Sequence, residues 1–208
     1  YYIQELEMSE LPKIRPLHKQ DKRKRNKHVI ISHIGNFSVR LDPMIPTLRG
    51  YMSTNTMALQ DNYFRNKLER NVLPFHFLVT RANNNWQVGV SAPLNVKSDL
   101  ITKAISAGYM SSIYEDAIVI AIQDDFTTRI PDPKIYEAVG ANIIAPLKEL
   151  LRLGSVTDTV FFFDEVFDIA KYESDFNTNQ HNIKYPYAVK PMRYFDRVDF
   201  NLEVRRFA

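Results

Sequence analysis

The fold follows from residues 117–122, which read AIVIAI. Four of these six residues are β-branched, and no polar residue interrupts the run. A short apolar run that does not alternate is typical of a strand covered on both faces of a sheet. We therefore expect residues 117–122 to form a central strand with helices packed against the sheet.

Two further apolar runs, Val29–Ile34 and Val160–Phe163, resemble this strand. A helix is predicted between residues 122 and 160, because Asp132 can cap its first turn and Pro133 suits its first position. A helical crossover joins parallel strands, so we expect the runs ending at Ile122 and starting at Val160 to be parallel. Pro146 is expected to kink this helix, and Gly154 is expected to end it.

The remaining elements make the sheet mixed. Residues 75–81 and 86–90 alternate around Asn83, Asn84 and Asn85, which indicates a hairpin. Two more helices are predicted at 56–71 and 97–112, and alternating strands at 37–41 and from Val198 to Val204. The sequence thus predicts an α+β fold: one domain over residues 29–208, with a mixed sheet of about six strands, one hairpin and three helices.

The composition excludes several classes of function. The 208 residues include no cysteine, which rules out disulfides and thiolate chemistry, and only 6 glycines, which disfavours glycine-loop nucleotide folds. No G-x-S-x-G, phosphate-loop or G-x-G-x-x-G motif is present. We therefore expect a protein without catalytic activity and without a cofactor.

The setting is expected to be intracellular: cytosolic, nuclear or virion. Cysteine is absent, and residues 1–10 contain no apolar core of a secretory signal. No run of 18 apolar residues is present, so we expect no membrane span.

The net charge of +3 hides a local concentration of basic residues. Residues 13–27 carry eight basic side chains against one acid, a charge of +7, while residues 29–208 carry −1. We call residues 1–28 the basic arm and expect it to be extended, because Pro12 and Pro16 oppose a helix. Its candidate contact residues for nucleic acid or a partner are Lys13, Arg15, Lys19, Lys22, Arg23, Lys24, Arg25 and Lys27.

Four functions of the basic arm stay open at this point. Closely spaced Lys and Arg neutralise phosphates, which favours nucleic-acid binding. The cluster at residues 22–25 also fits a nuclear import signal, and it suits docking onto an acidic protein surface. The fourth alternative is a solvated tail without a specific role.

Carboxylates follow two of the predicted strands. Asp124 and Asp125 come after one, and Asp164 and Asp168 lie in or after the other. Converging carboxylates hold Mg²⁺ in phosphodiester hydrolysis, so these four residues are weak candidates for a metal site and a nuclease. The alternative is that they cap the elements that follow the strands.

The five histidines lack the helical H-E-x-x-H spacing of zinc proteases. His76 lies between Phe75 and Phe77 on a predicted strand, so we expect a structural histidine there.

Residues 170–191 show no period and are predicted to form a long loop. The aromatic residues in and beside it suit subunit contacts, because aromatic side chains bury a large area at interfaces. Packing onto the same domain and base stacking are the alternatives. The candidate contact residues are Tyr172, Phe176, Tyr185, Tyr187 and Tyr194.

These observations favour a structural assembly subunit of a larger particle, such as a virion. We expect it to form homo-oligomers through the 170–191 loop and its edge strand, and to contact nucleic acid or a partner through the basic arm. A nucleic-acid-binding protein and a Mg²⁺-dependent nuclease are the alternatives.

Overall fold

The computed structural model describes residues 4–6, 28–33, 75–82, 85–90, 94, 96–178, 185, 187 and 189–205. The predicted helix at 56–71, the predicted strand at 37–41 and the basic residues at 13–27 lie outside these residues. The described strands are β1 (Gln4–Leu6), β2 (Val29–His33), β3 (Phe77–Ala82), β4 (Asn85–Val90), β5 (Ile118–Ile122) and β6 (Val160–Phe162).

The described helices all follow β4 in the chain. They are α1 (Asp99–Ala107), α2 (Pro133–Val139), α3 (Ala145–Leu151), α4 (Val156–Thr159), α5 (Phe163–Val166), α6 (Ile169–Thr178) and α7 (Arg197–Arg205). A 3-10 helix spans Ser112–Tyr114, and a π-helix spans Gly140–Ile144. None of these described helices is long and apolar enough to cross a bilayer.

The six strands form one mixed sheet in the order β1-β4-β3-β5-β2-β6. Strands β3, β5, β2 and β6 are parallel, while β4 runs antiparallel to both β3 and β1. All residues of β5 are buried, as are all residues of β2. The α+β class and the mixed sheet are therefore confirmed, with the AIVIAI run close to the centre of the sheet.

Local signals explain the elements that were predicted correctly. Ser98 caps α1 by accepting a hydrogen bond from the Ile101 amide, and Asp132 caps α2 by accepting one from the Lys134 amide. In the hairpin, Ala82 pairs with Asn85, which leaves Asn83 and Asn84 to connect β3 and β4. A hydroxyl cap thus marks the start of α1, and an acidic cap marks the start of α2.

The predicted kink at Pro146 takes the form of a π-helix. Proline has no amide hydrogen, so it cannot continue the regular helical ladder. The chain widens over Gly140–Ile144, where the Ala145 amide donates to the Gly140 carbonyl, and α3 then begins. Gly154 does not end this helix as predicted; Arg152 does so, in the left-handed conformation with φ 51°.

The predicted strand from Val198 to Val204 is wrong, because these residues lie in α7. When apolar residues occur at every second position, every other one of them is four residues apart, and residues four apart lie on one face of a helix. Phe200 and Val204 form the buried set, whereas Val198 and Leu202 form the exposed set. The missed signal is Asp196, whose carboxylate accepts from the Val198 amide at 2.7 Å as a helix cap.

The long loop predicted at 170–191 is also wrong in part. The sheet strand ends at Phe162, and the chain turns into α5 and then α6, which reaches Thr178. Asp168 caps α6 by accepting from the Lys171 amide at 3.0 Å. The helix was missed because only Tyr172 on it is fully buried, so its apolar face is weak.

Candidate functional site at the carboxyl edge of the sheet

The carboxyl ends of the parallel strands form the edge where open α/β sheets usually bind ligands. His33 ends β2, Asp124 and Asp125 follow β5, and Asp164 follows β6. This edge therefore collects three of the four carboxylates that the sequence singled out, together with His33.

His33 is buried, and both of its ring nitrogens have partners. Nδ1 accepts a hydrogen bond from the Phe126 amide at 2.9 Å, and Nε2 donates to the Lys190 carbonyl at 3.0 Å. The nitrogen that faces a carbonyl must carry the proton, so the ring is a neutral Nε2–H tautomer. Burial lowers the pKa of His33, which keeps this form. His33 therefore joins the end of β2 to Phe126 and to Lys190, and neither of its ring nitrogens is free.

The segment Val189–Phe195, which we call the edge strap, crosses this edge. Its backbone is bound at successive residues: the Pro191 carbonyl accepts from Thr127 Oγ1 at 2.7 Å, and the Met192 amide donates to Asp164 at 2.9 Å. The Tyr194 amide donates to the Phe126 carbonyl at 2.9 Å. Together with the His33 bond, these contacts fasten the strap to the end of β2, to the turn after β5 and to α5.

Phe195 anchors the C-terminal end of the edge strap in the core. Its ring lies 4.8–5.8 Å, centroid to centroid, from four other buried aromatic rings. These rings come from the turn after β5, from α2, β6 and α7: Phe126, Tyr136, Phe162 and Phe200. The strap thus links the sheet to the helices packed against it.

The strap was not predicted. Its apolar residues Val189, Met192 and Phe195 recur every third position, which is neither the period of a strand nor that of a helix. That three-residue spacing beside Pro191 is the one available signal, since an extended chain without sheet pairing has three residues per turn.

The four candidate metal ligands are used in other ways. Asp164 binds the strap, and Asp168 caps α6. Asp125 accepts from the Thr127 amide at 3.0 Å, while Asp124 accepts from the Asp125 amide at 2.7 Å and lies 3.8 Å from Arg129. Burial raises the pKa of Asp124 and of Asp164. Asp124, Asp125 and Asp168 therefore cap the turns and the helix that follow the strands, which is the alternative left open by the sequence. Asp164 instead binds the edge strap.

Among the residues that the structure describes, no three His, Asp or Glu side chains are placed to share a metal ion. The nuclease alternative needs such a convergence of Asp124, Asp125, Asp164 and Asp168. The geometry of the described residues thus lends it no support.

Three of the five candidate subunit-contact residues lie inside the domain. Tyr172, Tyr185 and Tyr187 are buried. The Tyr185 hydroxyl donates to the Leu100 carbonyl at 2.7 Å, and the Tyr187 hydroxyl donates to the Asp99 carboxylate. Side chains engaged in this way are not available to a neighbouring subunit, so self-packing replaces the predicted subunit contact for these three.

The other two candidates differ. Phe176 is partly buried on α6, and the side chain of Tyr194 is 45% exposed. Tyr194, Val198 and Leu202 follow one another at intervals of four residues, and the latter two are 64% and 54% exposed. These three side chains are the apolar surface that the C-terminal part of the described chain offers to solvent.

The basic candidates at 13–27 lie outside the described residues, but both flanks of that stretch are placed. Gln4–Leu6 pairs with Val88–Val90 at one edge of the sheet, and Val29 begins the buried strand β2. The basic stretch is therefore the connection between two strands of one sheet, not a tail attached at one end. The chain matches no protein-family model, no curated protein and no solved structure.

Proposed function

We propose that this protein is a non-enzymatic assembly subunit of a larger particle and that residues 13–27 bind a polyanion, in the first place nucleic acid. The observation that carries the proposal is the position of these residues between β1 and β2. Residues 13–27 carry a charge of +7, whereas residues 29–208 carry −1. Lys and Arg concentrated in this way neutralise phosphates and release counterions.

The carboxyl edge supports the non-enzymatic part of the proposal. His33 and Asp164 bind backbone groups of the edge strap, and Asp125 binds the Thr127 amide within its own turn. A catalytic group must reach a reacting atom of the substrate. Side chains bound to their own chain at a covered edge serve the stability of the domain instead.

Contacts between subunits are proposed for the exposed apolar side chains Tyr194, Val198 and Leu202 and for the edge of the sheet at β1. Val198 and Leu202 lie on α7, in the stretch that the sequence predicted to be an edge strand at the interface. Exposed aromatic and branched side chains favour burial against a partner.

Polyanion binding is tested by removing the densest part of the basic stretch. Replacing Lys22, Arg23, Lys24 and Arg25 with alanine should lower the slope of log K against log[salt] by about 3 to 4 for duplex DNA, at about 0.9 per phosphate contact. Fluorescence anisotropy with a labelled duplex measures the slope. The matched control removes four exposed basic residues of the body, Lys103, Lys134, Arg193 and Arg205. Equal losses in the two variants would contradict the proposal.

Assembly is tested by size exclusion with light scattering at low and high salt, with absorbance read at 260 and 280 nm. We expect a species larger than one 24.3 kDa chain that carries nucleic acid at low salt and releases it at high salt. A single-chain mass without nucleic acid under both conditions would refute the assembly function.

A further inference from the structure

Strand β1 lies at the edge of the sheet and pairs with only part of its neighbour, β4. Strand β4 pairs with β3 along all six of its residues, from Asn85 to Val90. On its other side, the register Gln4↔Val90, Glu5↔Gly89, Leu6↔Val88 covers three of them. Three paired residues make a small contact. The β1 strand of another copy of the chain has the same sequence and would make the same contact.

The connection from β1 to β2 is far longer than the path it has to cover. Four strand positions separate β1 from β2 in the sheet order, a distance of ~19 Å at the usual strand spacing. The two strands run in the same direction, so the connection also returns from the carboxyl edge to the amino edge, and the straight path is roughly 25 Å. Residues 7–28 span up to about 75 Å when extended.

The connection concentrates charge of one sign. Eight of the fifteen residues from Lys13 to Lys27 are basic and one is acidic. A chain of like charges repels itself and extends, most strongly at low salt. A polyanion neutralises these charges and binds several chains side by side along its length.

We propose that β1 is exchanged between copies: β1 of one chain pairs with β4 of a second chain when the two are bound side by side on a polyanion. This inference rests on the proposed function. The exchanged pairing has the same contacts as the internal one, which makes such swapping a low-cost route to assembly. A tether of this length holds β1 at an effective concentration on the order of millimolar, so dilute chains pair internally and crowded ones exchange.

The absence of cysteine allows a clean test with the full chain, using the variant Gln4→Cys with Val90→Cys. These positions are paired, and opposed antiparallel residues have Cα separations within the disulfide range. Oxidation followed by non-reducing gel electrophoresis separates an internal disulfide, at one chain mass, from an exchanged one, at two or more. The controls are Gln4→Cys alone and Gln4→Cys with Lys103→Cys, which lies on α1.

With the protein at micromolar concentration and no DNA, we expect the internal disulfide. With a 60-nucleotide single strand of DNA added, we expect at least a fivefold rise in cross-linked dimers. Neither control should show that rise. If anisotropy shows that the DNA binds and the disulfide stays internal, exchange is refuted. Failure to form a disulfide in any condition refutes the β1–β4 pairing on which exchange depends.

If polyanion binding, the proposed function, is wrong, the disulfides form in a different pattern. If the DNA does not bind, the oxidation is repeated at millimolar protein. Dimers at that concentration then support exchange while refuting polyanion binding, and an internal disulfide refutes both.

Discussion

Replacing Phe195 with alanine is expected to lower the free energy of unfolding by about 3–5 kcal/mol, the usual range for removing a buried aromatic ring. The ring lies within 6 Å of four other rings, from three helices or turns and one strand. Its removal leaves a cavity whose walls belong to different elements and cannot all collapse into it. Urea denaturation followed by circular dichroism measures the change.

The neighbouring residue provides the control for Phe195. Tyr194 belongs to the same edge strap, but it is 45% exposed, so Tyr194→Ala should cost less than about 1 kcal/mol. A loss below 1 kcal/mol for Phe195→Ala would show that the strap does not hold the sheet to α2 and α7 in solution.

Stability is expected to fall by about 3 kcal/mol between pH 6.5 and pH 4 because of His76. Its Nδ1 accepts from the Val119 amide at 2.9 Å, and its Nε2 donates to the Val96 carbonyl at 2.6 Å. Burial lowers the pKa of His76 from 6.5 to about 4. The unfolded chain therefore binds the proton first, so the contribution is complete above pH 6.5 and is lost as the pH falls to about 4.

The measurement is the free energy of unfolding as a function of pH, compared between the natural chain and His76→Gln. The variant should be less stable at pH 7, since the Val119 amide loses its partner, and its profile should be flatter between pH 6.5 and 4. The difference between the two profiles removes the contributions of His33, Asp124 and Asp164. Parallel profiles would mean that His76 is not neutral and buried in solution.

The confirmed part of the fold rests on local signals. The AIVIAI run, the hairpin at Asn83 and Asn84, and the caps at Ser98 and Asp132 each act within a few residues. His76 belongs to this group as well, because a histidine between two buried phenylalanines needs partners for both nitrogens. Such features are available from the sequence without knowing which elements meet in space.

The errors arise where local signals are ambiguous. Residues 198–204 alternate as in a strand, yet Asp196 caps them as a helix, and packing of Phe200 and Val204 decides between the two. Tyrosines suit interfaces and cores equally well on composition. Burial of Tyr185 and Tyr187 depends on the Leu100 carbonyl and the Asp99 carboxylate, which lie far away in the sequence.

The pairing of β2 governs how this domain reaches its native state. Val29 pairs with Ile118 on one side and with Val160 on the other, so both neighbours of β2 lie far along the chain. Each pairing requires the closure of a long loop before its contacts form, which places folding in the millisecond-to-second class of high contact order. Until then the edges of β2 and its apolar side chains are open to other chains, so refolding yield should fall through aggregation as the protein concentration rises.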